Sequence, residues 1–390
     1  MTPQDQARRD QEQLGREGMA ALSRGDAAGA RALFARLVTG DTSAPAAFAH
    51  ALACHLDGDP ATALAEANRG LLSDPGNLRG LIVKADALVA LGEARGAVGV
   101  YDQVLALAEA AGARLAPAAR PQVEQARQAR DRLVASMTGH LMDTLGAAGF
   151  REATAPPRFA EALAILTGKA PRQDQKPRAF YYPGLAPIAF HDTGRFDWAA
   201  GLTGQTAAIR AEFTALPRDT GLFSPYLEDD PRLPRDPSKR LVANADWNAC
   251  YLIRDGAPVE AAAAACPRTM AALAPLPLED VPGRAPFALF STLAPGAWIE
   301  PHTGFLNTRL VCHLPLVVPD GCSFRVGNTT RPWHEGELMV FDDTLEHEAR
   351  NQGTSDRTVL IFNIWHPDLT EDERHFVRTL LAGIDGFAAG

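Results

Sequence analysis

The sequence has little of what marks a membrane-spanning, secreted or nucleic-acid-binding protein. No run approaches the roughly 18 apolar residues a spanning helix needs, and the N-terminus MTPQDQARRDQEQLGREG lacks the apolar stretch of a secretion signal. Cysteine is sparse. Cys54, Cys250, Cys266, Cys312 and Cys322 make an odd total with no CxxC spacing, which fits reduced thiols in a cytosol better than a disulfide framework. Basic residues are outnumbered, 38 Lys and Arg against 47 Asp and Glu, and they are scattered rather than blocked. A net charge of −9 argues against a nucleic-acid or anionic-membrane surface. The expectation is a soluble cytoplasmic protein with neither nucleic acid nor membrane as partner.

What is present points to two kinds of structure. The 390 residues exceed the roughly 250–300 at which a single core stops growing, and 46% hydrophobic with 22% charged residues is an ordinary globular balance. The first third is alanine-rich, almost free of strand signals, and repetitive. Gly25, Gly58 and Gly92 are spaced by 33 and 34 residues, and each is followed by alanine (Ala30, Ala63, Ala97) and then by Phe34, Ala67 or Tyr101. A turn sequence, DPGN, falls between units. Glycine lets the turn cross closely and alanine lets two helices approach, so the pattern resembles tetratricopeptide repeats over about residues 12–110. Three such repeats form a groove suited to a peptide or partner; the plainer reading is a helical appendage that packs on the next domain. Farther on, Val123, Ala126, Ala129, Leu133, Met137, Leu141 and Leu145 form an amphipathic stripe. The expected division is helical repeats over 1–112, a helical connector over 113–175, and a β-rich domain over 176–390.

The β-rich part reads as short strands at 287–293, 308–318, 322–327, 337–342, 347–351 and 357–365, separated by the turn signals PDG, GN and NQG. Strands of this length and spacing predict a jelly roll or cupin-like barrel. His302 and His347 stand 45 residues apart, a separation that two barrel strands can close, and imidazole is a common metal ligand. Non-haem Fe(II) oxygenases use two His and one carboxylate, the acid commonly two residues after the first His; here that position is Gly304. Strand alternation puts Arg309, Val311 and His313 on one face, Arg357, Val359, Ile361 and Asn363 on another, and Ser291 with Leu293 on a third. A cavity with two imidazoles, a serine and two guanidiniums suits a small dicarboxylate such as 2-oxoglutarate. Among Asp342, Asp343, Glu346 and Glu348, which crowd His347, the plain reading is a turn with solvated charges. The sharper one is an acceptor that orients the imidazole.

The segments PHTG, NTRLVCHLPLVVP, EGELMVFDDTLEHEARN, the arginine ten residues after His347, and WHPDLT resemble the aspartyl/asparaginyl β-hydroxylase family over about residues 155–370. That resemblance implies a double-stranded β-helix dioxygenase using Fe(II), 2-oxoglutarate and O2, in which glycine stands where the acid ligand is usual. Carried over, His302 and His347 hold the iron. Arg357 pairs with the distal carboxylate of 2-oxoglutarate, assisted by Ser291, with His313 near its other end. Arg309 and Trp247 belong to the substrate side. Val311 departs from the pattern, because the family's animal members have a second arginine there; the cysteine pair of the secretory-pathway members is also missing. The implied reaction is hydroxylation of a C–H bond, by family analogy the β-carbon of an aspartyl or asparaginyl residue in a protein or peptide that the repeats help to hold. A free amino acid, a small peptide and a lipid-linked acyl chain are the substrate alternatives. A repeat adaptor with an inactive barrel, and a zinc hydrolase with Glu300 or Glu346 as its acid, are the alternatives of other classes.

Overall fold

The computed structural model describes residues 3–218, 221–227 and 241–388. The chain divides into two compact units, Met1–Leu163 and Ala164–Gly390. No described helix is long and apolar enough to cross a membrane.

The first unit is helical and resembles tetratricopeptide repeats. Helices α1 (Pro3–Ser23), α2 (Ala27–Leu37), α3 (Ala44–Leu56), α4 (Pro60–Ser73), α5 (Leu78–Ala90) and α6 (Ala94–Ala111) pair in sequence. The repeating glycines sit after helix ends with φ near +80°, a region a Cβ disfavours. Ala30, Ala63 and Ala97 are fully buried at the helix crossings. Side chains of Asp26, Ser43, Asp59 and Asn77 cap the starts of α2, α3, α4 and α5 by accepting backbone N–H bonds. Helix α7 (Arg120–Ala147) buries Val123 and Ala126 with Tyr101 and Val104. The predicted stripe thins beyond Leu133, since Met137, Leu141 and Leu145 are only half-buried. Helix α8 (Pro157–Leu166) spans the division, so the stretch expected as a connector is shared between the units.

The second unit is built on two antiparallel sheets, as the jelly-roll expectation requires. Its strands are β1 (Phe190–His191), β2 (Ser224–Pro225), β3 (Trp247–Arg254), β4 (Ala257–Pro258), β5 (Ala288–Leu293), β6 (Trp298–His302), β7 (Arg309–Val317), β8 (Cys322–Val326), β9 (Thr329–Pro332), β10 (Met339–Phe341), β11 (His347–Asn351) and β12 (Arg357–Trp365). The larger sheet has the order β1-β10-β7-β12-β5-β3-β2, with β4 on β3; the smaller is β6-β11-β8-β9. Alternation along β7 decides which core each side chain joins. Leu310, Cys312 and Leu314 pack with Phe290, Phe362 and helix Thr206–Ala215. Val311 packs on the opposite side with Leu289, Phe324, Phe341 and Ile361.

The strand spans read from sequence hold to within two residues at either end. Strands β1, β2, β3, β4, β6 and β9 went unread: β1, β2 and β4 have two residues each, WNACYLIR in β3 lies well before the strands that were read, and β6 has Pro301 and a polar end that resemble a loop.

Candidate active site

Between the sheets lies a cavity of about 790 Å³, and all eight predicted residues line it: Trp247, Ser291, His302, Arg309, Val311, His313, His347 and Arg357. Register brings the histidines together. Strands β6 and β11 are antiparallel neighbours with His302 opposite His347, and the ring centroids are 4.1 Å apart. Each Nδ1 donates to a backbone carbonyl two residues earlier, that of Glu300 at 2.7 Å and that of Leu345 at 3.0 Å. These bonds fix the tautomer in which Nε2 carries the lone pair. Burial pushes the His347 imidazole down to about 4, so it is neutral near pH 7, as a metal ligand must be. The orienting acceptors are thus carbonyls, not the neighbouring acids weighed for that role. Glu346 and Glu348 instead pair with Arg325 at 2.9 and 2.7 Å.

The two remaining acids of that loop have separate tasks that spacing alone did not reveal. Asp342 is a turn former: its carboxylate accepts from Thr344 N, Thr344 Oγ1 and Gln175 Nε2. Asp343 points into the cavity, 7% exposed. A Cβ on Gly304 would stand 2.0 Å from Asp343 Oδ2, so this carboxylate fills the space that a side chain at 304 would take. The backbone joins the two loops at the same point, Gly304 N donating to Asp343 O at 2.6 Å. The glycine and the aspartate are therefore one steric unit.

Charge is distributed unevenly. Arg309 Nη1 lies 3.3 Å from Glu279 Oε2 and Nη2 lies 3.7 Å from Asp343 Oδ2. Burial works against this guanidinium, but the two carboxylates outweigh it and hold Arg309 above its usual range. For Asp343, burial outweighs Arg309 and raises the carboxyl. Arg357 has no such partner. It is 1% exposed, and its Nε and Nη2 meet no acceptor among the described residues. Burial brings it down to about 10, so it remains charged near neutrality. Along the same wall, Trp247 Nε1 donates to Ser291 Oγ at 3.0 Å, and the indole stacks on Tyr226 at 4.0 Å and 12°. His313 is held well below its ordinary value by burial, helped by Arg357 and His347, and its Nδ1 has no partner among the described residues.

Residues the sequence reading passed over are Asp343 as a cavity group, Arg178 and Tyr226 as lining residues, and Glu279 as the counter-ion of Arg309. Glu279 precedes Arg309 by 30 residues in a proline-rich loop, with no motif to mark it. Among the described residues no group of three His, Cys, Asp or Glu is set to hold a metal. The donor set for a metal at this place is two imidazoles, with a cavity beside them whose one uncompensated buried cation fits an anion.

The profile of the family described as Aspartyl/Asparaginyl beta-hydroxylase matches residues 204–367. An aspartyl/asparaginyl beta-hydroxylase of Mus musculus is 36% identical over 180 residues, 45% of this chain and 24% of that protein. An ornithine lipid ester-linked acyl 2-hydroxylase of Rhizobium tropici is 34% identical over 190 residues, 48% of this chain and 63% of that protein. The matched part thus spans about a quarter of the mouse protein's length. Among solved structures, the second TPR domain of human RPAP3 protein aligns with 33% of this chain and 97% of its own, at 16% identity and a TM-score of 0.28. Residues 204–367, which carry all eight predicted site residues, are thus similar to the aspartyl/asparaginyl beta-hydroxylase family.

Proposed function

We propose that the chain is a 2-oxoglutarate- and Fe(II)-dependent dioxygenase that hydroxylates a C–H bond, with an aspartyl or asparaginyl β-carbon of a protein or peptide as the substrate. The observation that carries this reading is the pairing of two oriented imidazoles with a buried, unpartnered guanidinium in one cavity. Fe(II) and 2-oxoglutarate supply the oxidising chemistry: O2 is consumed, the cosubstrate becomes succinate and CO2, and one oxygen atom enters the substrate C–H bond.

The chain's own residues bind, orient and exclude water. His302 and His347 present Nε2 lone pairs on one side of the cavity, fixed by carbonyls. Arg357 offers two in-plane N–H donors to the distal carboxylate, at a depth where a charge-assisted bond is strong. The Ser291 hydroxyl, already accepting from Trp247, has its own hydrogen left to donate to that carboxylate. His313, neutral and buried, stands near the other end. Arg309 is spent on Glu279 and Asp343, so it shapes the substrate wall more than it offers a free charge. The helical repeats supply a second surface for a peptide substrate.

The adaptor and zinc-hydrolase readings gain nothing from the site. Glu346 is engaged by Arg325, and a buried cation with no partner is a costly thing to retain without a ligand. The test is succinate release from 2-oxoglutarate with Fe(II), together with mass spectrometry for a +16 shift in proteins captured by a His302→Ala variant. Failure of the protein to bind or turn over 2-oxoglutarate in the presence of Fe(II) sinks the reading.

A further inference from the structure

Arg357 lies at the head of β12, deep in the cavity wall, where burial lowers it to about 10. A buried guanidinium normally meets a carboxylate. This one meets an aromatic ring instead. Its Cζ lies 4.5 Å from the ring centroid of Trp333, over the indole. Trp333 is 3% exposed and follows the end of β9. It is stacked on Phe324 at 5.2 Å and 17°, and Phe324 is itself 5.1 Å from the His313 ring. Trp333 is not a lining residue of the cavity, so it has no direct part in holding a ligand there.

We propose that Trp333 is a positioning residue for the dicarboxylate cosubstrate: its indole face holds the Arg357 guanidinium where a carboxylate would otherwise stand, and leaves the guanidinium edge to the incoming carboxylate. The inference rests on the reading of Arg357 as the cosubstrate anchor. Its physical basis is directional. A carboxylate neutralises guanidinium through the in-plane N–H fork, so a resident acid would occupy the donors a ligand needs. A π-face attracts the same cation from above the plane, through the ring quadrupole, and accepts none of the fork. Nε and Nη2 are accordingly the atoms left without an acceptor. The stack on Phe324 keeps the indole from following the arginine if it moves.

A Trp333 that only fills the core would, when replaced, change melting temperature and leave cosubstrate affinity alone. The test uses the full chain as wild type, Trp333→Phe and Trp333→Leu, with 2-oxoglutarate and Fe(II) under exclusion of oxygen. Dissociation constants come from calorimetry and from tryptophan emission. The wild type should bind and its emission should change; Trp333→Leu should weaken binding on the order of tenfold, and Trp333→Phe, which keeps a weaker π-face, by less than about threefold. Two results overturn the proposal while leaving the Arg357 reading intact: a folded Trp333→Leu variant that binds 2-oxoglutarate as tightly as the wild type, or, should that variant not fold, a folded Trp333→Met variant, likewise without a π-face, that does so. A wild type that does not bind 2-oxoglutarate overturns the anchor reading, and Trp333's role with it.

Discussion

In the helical repeats polar groups find partners within a few residues or on the next helix, whereas in the barrel several charged groups are buried with donors or acceptors unmet. Asp59 accepts from Thr62 and pairs with Arg31, Tyr101 donates to Asp86, and Arg69 reaches Glu66 on its own helix. His50 and His55 each leave a ring nitrogen without a hydrogen bond, and that of His50 still faces Glu66 at 3.6 Å. Among the described charged side chains of the second unit, those with unmet atoms are Arg309, Asp343 and Arg357, which all line one cavity, and Arg374, which does not; neutral groups such as His191, His366 and Asn363 are unmet elsewhere. A buried unmet charge costs several kcal/mol, or about the whole margin of a small domain's stability when two coincide. Such a cost at one place, beside a scaffold that meets its own needs, marks where a ligand belongs.

The sharpest way to break this contrast is to remove the histidines. His302→Ala or His347→Ala should lower succinate formation by more than about a hundredfold, since loss of a ligand exceeds the loss from disturbing its supporting hydrogen bond. Melting temperature should move little for His302, which is only half-buried. Next comes Arg357→Met. It should weaken 2-oxoglutarate binding by about a hundredfold, the value of a charge-assisted bidentate contact. It should at the same time raise barrel stability by about 1–4 kcal/mol in the absence of cosubstrate, because an apolar side chain replaces an unneutralised charge. Calorimetric binding and chemical unfolding of the same sample check both halves. An Arg357→Met protein that is less stable than the wild type would show that the guanidinium is satisfied after all.

How much of this was legible in the sequence follows from how local each cause is. The repeat period was readable because each turn needs a positive-φ glycine and each crossing a small residue, and both are fixed within one unit. The inward set Arg309, Val311 and His313 followed from alternation along one strand. Arg357 was found by its distance from His347 in the motif, but its isolation was not, because isolation is a property of everything packed around it. The same holds for Asp343, whose relation to Gly304 depends on two loops 39 residues apart meeting by a backbone bond. Trp333 had no sequence signal beyond an aromatic residue after a short strand. Strands β3 and β6 were missed because tertiary pairing, not propensity, makes them strands.

Two further tests act inside the barrel with smaller effects. His191 and His366 are buried neighbours, 5.7 Å between ring centroids, and neither nitrogen of His191 has a hydrogen-bond partner among the described residues. Burial, then the neighbouring His366, lowers His191 to about 4. The unfolded chain takes up its proton near pH 6.5 and the folded chain only near pH 4, so the unfolded state gains protons first on acidification. Stability from this group is whole above pH 6.5 and declines as pH falls toward 4, by up to about 3 kcal/mol. Unfolding midpoints between pH 4 and 7 should show that slope, and His191→Phe should lessen it, the rest belonging to other buried histidines such as His347 and His313. The Gly304–Asp343 pair is the second test. Gly304→Ala puts a methyl 2.0 Å from Asp343 Oδ2 and should cost about 1–3 kcal/mol. In an Asp343→Ala background the same change should cost little. Additive costs in that cycle would mean the two positions do not share one space.

The smallest expected effect belongs to the repeats. Asn77 caps α5 through Oδ1, which accepts from Gly80 N at 3.0 Å, while its Nδ2 donates to Asp74 Oδ2 at 2.9 Å. Asn77→Ala should lower helical stability by about 1 kcal/mol, and Asn77→Gly by only a few tenths, because glycine lets solvent reach the orphan N–H groups. Thermal melting followed by helical circular dichroism resolves the two. Neither change should move the 2-oxoglutarate dissociation constant. Such a result would set a satisfied group, whose removal costs stability alone, against Arg357, whose removal adds stability and costs binding. A cap mutant that shifted cosubstrate affinity would erase that distinction, because it would make a locally satisfied polar group part of the functional machinery.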